Sequence, residues 1–132
     1  MTLQLRLYYA NFYCQLSDTA EGLCYLHSCN VIHGDLKGVR GPQFCLSTLS
    51  TPNQCNILVD DFGHARIVDF GLTMVTQNSD SIISATLNGG HTPRWTAPEV
   101  LKDGNHSKEA DIFSFAMVMI EVRREPSLRI NP

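Results

Sequence analysis

The run Ile112 to Ile120, IFSFAMVMI, constrains more than any other stretch what this chain can fold into. Ser107 can cap a helix, and Glu109 and Asp111 fall in its first turn, where the helix dipole favours acids. The segment from Ser107 to Val122 therefore reads as a helix. Its body is apolar on every side. Such a helix is normally buried within a larger protein, and this one is too short to span a bilayer. Other elements have to cover it.

Between Asn11 and Ser28, the residues Leu16, Ala20, Leu23, Cys24 and His27 recur at helical spacing, while Asp18, Glu21 and Tyr25 take other faces. This predicts an amphipathic helix. The stretch VIHGDLKG then breaks the period with a Gly-containing turn. NILV and ARIV follow as two short β-branched runs separated by Asp60 to His64, which predicts a hairpin. Thr73 to His91 is rich in Ser, Thr, Asn and Gly and has no sustained apolar period, so an exposed, mobile loop is expected there. A long loop in a small domain usually has a functional role. The opening MTLQLRLYYANF carries no clear signal.

With 132 residues, 43% apolar content and a formal charge of −3, the chain suits one soluble globular domain. Lys and Arg do not cluster, so neither nucleic acid nor an anionic membrane is expected as a partner. The five cysteines, Cys14, Cys24, Cys29, Cys45 and Cys55, are odd in number and form no C-x-x-C pair. Zinc and thioredoxin-like chemistry are therefore not expected, and a reduced, cytoplasmic setting fits. The N-terminus lacks a charged region followed by a clean hydrophobic core, so no signal peptide or membrane anchor is expected.

HGDLK at 33–37 with Asn56 beyond it, DFG at 69–71 and APE at 97–99 occur in that order, followed by a helix carrying Asp111. Together, from about residue 12 to about 122, they resemble a eukaryotic protein kinase. The chemistry of that family is phosphoryl transfer, in which the protein positions groups and neutralises charge while Mg²⁺ bridges phosphate oxygens. The resemblance implies an α+β fold, mainly helical with a short hairpin, belonging to the kinase's larger C-terminal lobe. It implies ATP and Mg²⁺ as cofactors and a protein as substrate. Asp35 would orient the substrate hydroxyl and accept its proton, and Lys37 would steady the transferring phosphate. Asn56 and Asp69 would hold metal. Thr92 would hydrogen-bond near Asp35 and Lys37, Trp95 would pack beneath the substrate loop, and Asp111 would anchor the catalytic loop near His33. Lys37 with Thr92 favours serine/threonine specificity. The PRW at 93–95 resembles the tyrosine kinase-like group, which leaves tyrosine phosphorylation open.

Two DFG triplets occur. Asp61 to Gly63 lies in the expected hairpin turn, where Gly63 supplies a permissive backbone. Asp69 to Gly71 follows ARIV and precedes Leu72 and the long loop, as the family requires, so Asp69 is assigned to the metal.

The chain departs from the family pattern in three ways. Gly34 stands where the family commonly has an Arg that reads an activation-loop phosphate. Phosphorylation at Ser79, Ser81, Ser84 or Thr86 is therefore not expected to switch the protein on. Next, the family separates the catalytic Asp from the metal-binding Asn by five positions, whereas Asp35 and Asn56 stand much further apart. Removing Val39 to Gln54 restores the expected HGDLKGCNILVD. Codons available to Val39-Arg40, Pro52-Asn53 and Gln54 can encode the signals of a short in-frame intron, so residues 39–54 are read as a retained intron rather than an evolved loop. Lengthening the loop costs only about 1.3 kcal/mol of chain entropy. Misplacing Asn56 by 1 Å can cost about a hundredfold in rate. Last, neither a G-x-G-x-x-G loop nor a V-A-I-K-like strand occurs, and residues 123–132 diverge from the family.

The expectation is thus a partial kinase domain without the nucleotide lobe, inactive by itself and prone to associate through uncovered apolar surface. The alternative is a non-catalytic, pseudokinase-like fragment that binds another protein.

Overall fold

The computed structural model describes residues 3–40, 55–70, 73–77, 81–82 and 93–124. Helix α1 (Leu3–Ser28) begins well before Asn11, so the opening stretch that carried no clear signal joins the same helix. Asn30, with φ of 56°, follows its end in the left-handed conformation that Asn tolerates at helix C-termini. The buried face of α1 includes Phe12, Thr19 and Leu23. The Thr19 hydroxyl donates to the Gln15 carbonyl at 2.8 Å, which satisfies a polar group that burial would otherwise leave unpaired. Cys24, expected on the apolar stripe, is exposed instead.

Six short strands follow among the described residues: β1 (Val31–Ile32), β2 (Val39–Arg40), β3 (Ile57–Val59), β4 (Ala65–Ile67), β5 (Met74–Gln77) and β6 (Ser81–Ile82). The expected hairpin is present as β3 and β4, with Ile57 opposite Ile67 and Val59 opposite Ala65. Its turn is built on Asp60, whose Oδ1 accepts the N–H groups of Phe62 and His64, each at 3.0 Å. Gly63, with φ of 89°, takes the position that a side chain would strain. The β4 strand lies close on α1. A Cβ added at Gly22 would lie 3.4 Å from Ile67 Cδ1, at van der Waals contact, which shows how near the strand side chain comes to the helix backbone. Asp18 on α1 also accepts the Ala65 N–H at 3.0 Å.

Two features depart from the sequence reading. The segment 73–91, expected as a loop, contains β5, which pairs antiparallel with β1 (Val31 opposite Val75) and with β6 (Thr76 opposite Ile82). In addition, Val39 and Arg40 form a parallel pair with β3, Val39 opposite Ile57 and Arg40 opposite Leu58. The first two residues of the interruption are thus part of a sheet, and residues 41–54 lie outside the described residues.

Helix α2 (Pro98–Asp103) starts with proline, whose missing N–H costs nothing in a first turn, and ends at Gly104 with φ of 69°. Helix α3 (Lys108–Arg124) begins as expected, with Ser107 Oγ accepting the Ala110 N–H at 3.1 Å. Val118 is fully buried and joins Phe12, Leu23, Leu36, Ile57, Ala65 and Trp95 in the main core. Ala97, Val100 and Ala110 form a smaller cluster between α2 and the start of α3. The helix is not covered all round: Ile112, Phe113 and Ile120 are exposed. No helix among the described residues is long and apolar enough to cross a membrane.

Candidate active site

The core holds a short loop, His33 to Gly38, from both sides. Asp111, 1% exposed in the first turn of α3, accepts the His33 N–H at Oδ2 (2.8 Å) and the Gly34 N–H at Oδ1 (2.9 Å). His27 at the end of α1 approaches Oδ2 of the same carboxylate at 2.9 Å. A buried carboxylate needs such partners, because unpaired it would carry a large desolvation penalty. Lys108 extends the anchor by donating to the His27 carbonyl at 2.6 Å and to Asn30 Oδ1 at 3.0 Å. Helix α3 therefore ties α1 to the loop.

His33 is fully buried. Its Nδ1 accepts the Asp35 N–H at 3.3 Å, which leaves Nε2 to carry the proton and donate to the Val68 carbonyl at 3.1 Å. The ring thus links Asp35 to the end of β4. Leu36, between Asp35 and Lys37, is 1% exposed and packed into the core. On either side of it, Lys37 Nζ donates to Asp35 Oδ2, and both side chains are mostly buried.

Asn56 closes the site although it lies 21 positions after Asp35. Its side-chain Nδ2 donates to the Asp35 carbonyl at 2.7 Å and to Asp35 Oδ2 at 3.3 Å. Its backbone N–H donates to the Lys37 carbonyl at 2.9 Å, and its own carbonyl accepts the Val68 N–H at 2.9 Å. In this geometry Asn56 reaches Asp35 across the interruption. Asp69 comes directly after Val68, which is bonded to both Asn56 and His33. Its φ of 62° is uncommon for a residue with a side chain and typical of functional positions. The Phe70 ring lies 5.6 Å from that of His33. The other candidate triplet is in the hairpin turn, with Phe62 89% exposed.

Asp35, Lys37 and Asn56 are therefore brought together, with Asp69 on the segment bonded to Asn56 and His33. Thr92 lies outside the described residues. Trp95 is buried, with its Nε1–H donating to Glu121 Oε2 at 3.0 Å and the Arg94 guanidinium 5.5 Å from its ring centre. Sequence reasoning did not single out His27, Lys108 or Glu121 for these roles. Each sits on a helix at a spacing that fits a packed or solvated side chain equally well.

Comparison with known proteins bears on what this arrangement does. The family model described as protein tyrosine and serine/threonine kinase matches residues 53–129. That span contains Asn56, Asp69 and the segment leading into α3, and begins after Asp35 and Lys37. Among individual proteins, "Probable serine/threonine-protein kinase drkC" of Dictyostelium discoideum is 40% identical over 114 residues, covering 83% of this chain and 13% of its own length. "Putative serine/threonine-protein kinase/receptor R831" of Acanthamoeba polyphaga mimivirus is 33% identical over 131 residues, 96% of this chain and 7% of its own. "Serine/threonine-protein kinase pakH" of Dictyostelium discoideum is 34% identical over 119 residues, 89% of this chain and 19% of its own. The chain spans less than a fifth of each of these relatives.

Proposed function

The chain belongs to the protein tyrosine and serine/threonine kinase family, and from that premise we propose that it forms part of the larger lobe of a serine/threonine-type, tyrosine kinase-like protein kinase. The observation that carries this reading is the contact of Asn56 with Asp35, beside Lys37. Hard oxygen donors on Asp69 and Asn56 suit Mg²⁺, which prefers carboxylate and carbonyl oxygen to nitrogen or sulfur. With Nδ2 donating to Asp35, the carboxamide offers Oδ1 to a cation. Bound Mg²⁺ and ATP would supply the phosphoryl group and offset its charge.

The chain's own residues do the rest. Asp35 orients the hydroxyl of a protein substrate and accepts its proton, with its backbone fixed by Asn56 and His33. Lys37, beside that carboxylate, places a cation next to the incoming phosphate. The relatives' names, and the occurrence of both Lys37 and Thr92 in the sequence, support serine and threonine as acceptors. We read residues 39–54 as a retained intron, to be tested by sequencing the mature transcript across codons 36 to 58. The free thiols of Cys14, Cys24, Cys29 and Cys55 support a reducing, cytoplasmic setting.

Expressed by itself, the 132-residue polypeptide is expected to transfer no phosphate, because its sequence contains neither the Gly-rich loop nor the strand lysine that hold nucleotide. A non-catalytic binding role is the second reading, supported by the uncovered apolar residues of α3. The test is phosphotransfer from labelled ATP by the full-length protein, followed by phosphoamino-acid analysis. The proposal expects label on serine or threonine, lost in Asp35→Asn. Absence of transfer by a folded, Mg²⁺-ATP-binding full-length protein would support the second reading.

A further inference from the structure

The loop between Asp35 and Asn56 is long enough to let the two drift apart, yet four hydrogen bonds converge on Asn56. Something has to set the chain's return path. Gly38, with φ of 48°, turns the backbone out of the loop directly after Lys37. The next two residues pair in parallel with β3, and Val39 lies opposite Ile57, the residue that follows Asn56. Val39 also packs against the main core and shares a small cavity with Phe12, Leu16, Ile57 and Val118.

We propose that Val39 is a positioning residue for the metal-binding asparagine: by seating β2 against β3 it holds Asn56 at Asp35 despite the number of residues between them. This rests on the proposed role of Asn56 toward Mg²⁺, and it applies to the polypeptide in which residues 39–54 are translated. Val39 touches neither substrate nor metal. It acts through β3, where an in-register neighbour fixes the strand that carries Asn56. A short loop would not need it, so deletion of residues 39–54, joining Gly38 to Cys55, should remove the requirement together with the residue.

The test compares Val39→Asp, Val39→Ile and the 39–54 deletion in the full chain. One readout is amide hydrogen exchange at Asn56, whose N–H donates to Lys37, with the His33 amide anchored on Asp111 as internal reference. The other is Mn²⁺ titration followed by paramagnetic broadening at Asn56 and Asp69. Val39→Asp should raise Asn56 exchange at least tenfold while His33 changes less than twofold, and should weaken Mn²⁺ half-saturation about tenfold. Val39→Ile and the deletion should match the unaltered chain in both. If Val39→Asp exposes His33 as well, the milder Val39→Ala decides, since a positioning role still raises Asn56 exchange ahead of His33. Equal rises at both amides, or unchanged Asn56 exchange, would overturn the proposal. Retained exchange contrast with no Mn²⁺ broadening in the unaltered chain would support the seating of β2 and overturn the metal role.

Discussion

Asp111 shows how much of this site one carboxylate carries. It accepts two backbone N–H groups and meets His27, all at 2.9 Å or less. Asp111→Ala would leave a buried and a part-buried backbone donor and a His without this partner, and should destabilise the chain by about 3 kcal/mol, read as a fall in urea midpoint. Asp111→Asn keeps one acceptor and should cost less. The sequence motif pointed to Asp111, because an acid at that place in the family pattern is specific. It did not point to His27, because a His on a helical stripe with Leu16 and Leu23 reads equally well as core. Glu121 was missed for a similar reason: its partner, Trp95, is 26 positions away. Gly34 carries a prediction of its own. With no cation at this position, acidic substitutions at Ser79, Ser84 and Thr86 in the full-length protein should change phosphotransfer less than about twofold, since the charge-assisted bonds that order such a loop are missing. A severalfold rise would show that another cation takes the role.

At the scale of elements, the hairpin and both main helices were legible because local chemistry specifies them: alternation and a turn built on Asp60, and a Ser cap before acids. Asp60 also makes the hairpin sensitive to pH. The His64 N–H, first, and then the Phe62 N–H and Arg66 hold its carboxyl below the usual carboxylate value. The unfolded chain therefore binds that proton more tightly, so the stabilisation is full above the unfolded value and is lost as pH falls through it toward the folded one. The difference in urea midpoint between the unaltered chain and Asp60→Ala should accordingly shrink from about pH 6 to about pH 3. What was not legible is the strand content of 73–82. Met74 and Val75 of β5 gain their ladder from β1, some forty positions earlier, while Thr76 and Gln77 pair with β6, and a run of four residues has no local signal for so distant a partner. The same holds for β2, whose two residues are strand only because β3 is beside them.

At the scale of the molecule, an all-round apolar helix has only part of its surface covered. Ile112, Phe113 and Ile120 on α3 and Leu101 on α2 are exposed, an arrangement that favours association. The 132-residue polypeptide alone should therefore show concentration-dependent sedimentation, and Ile112→Lys with Ile120→Lys should reduce it; a monomer at all concentrations would contradict this. The sequence predicted this uncovered surface from the helix's composition. It could not predict that Asn56 would return to Asp35 across the interruption, because that depends on a sheet pairing and a core seat that no spacing rule contains. The most direct measurement is the nuclear Overhauser effect between the Asn56 side-chain amide protons and the Asp35 Hα in the full chain. A cross-peak is predicted, since Asn56 Nδ2 lies 2.7 Å from the Asp35 carbonyl oxygen. An assigned, folded spectrum without that cross-peak would mean that the loop is open and the site divided.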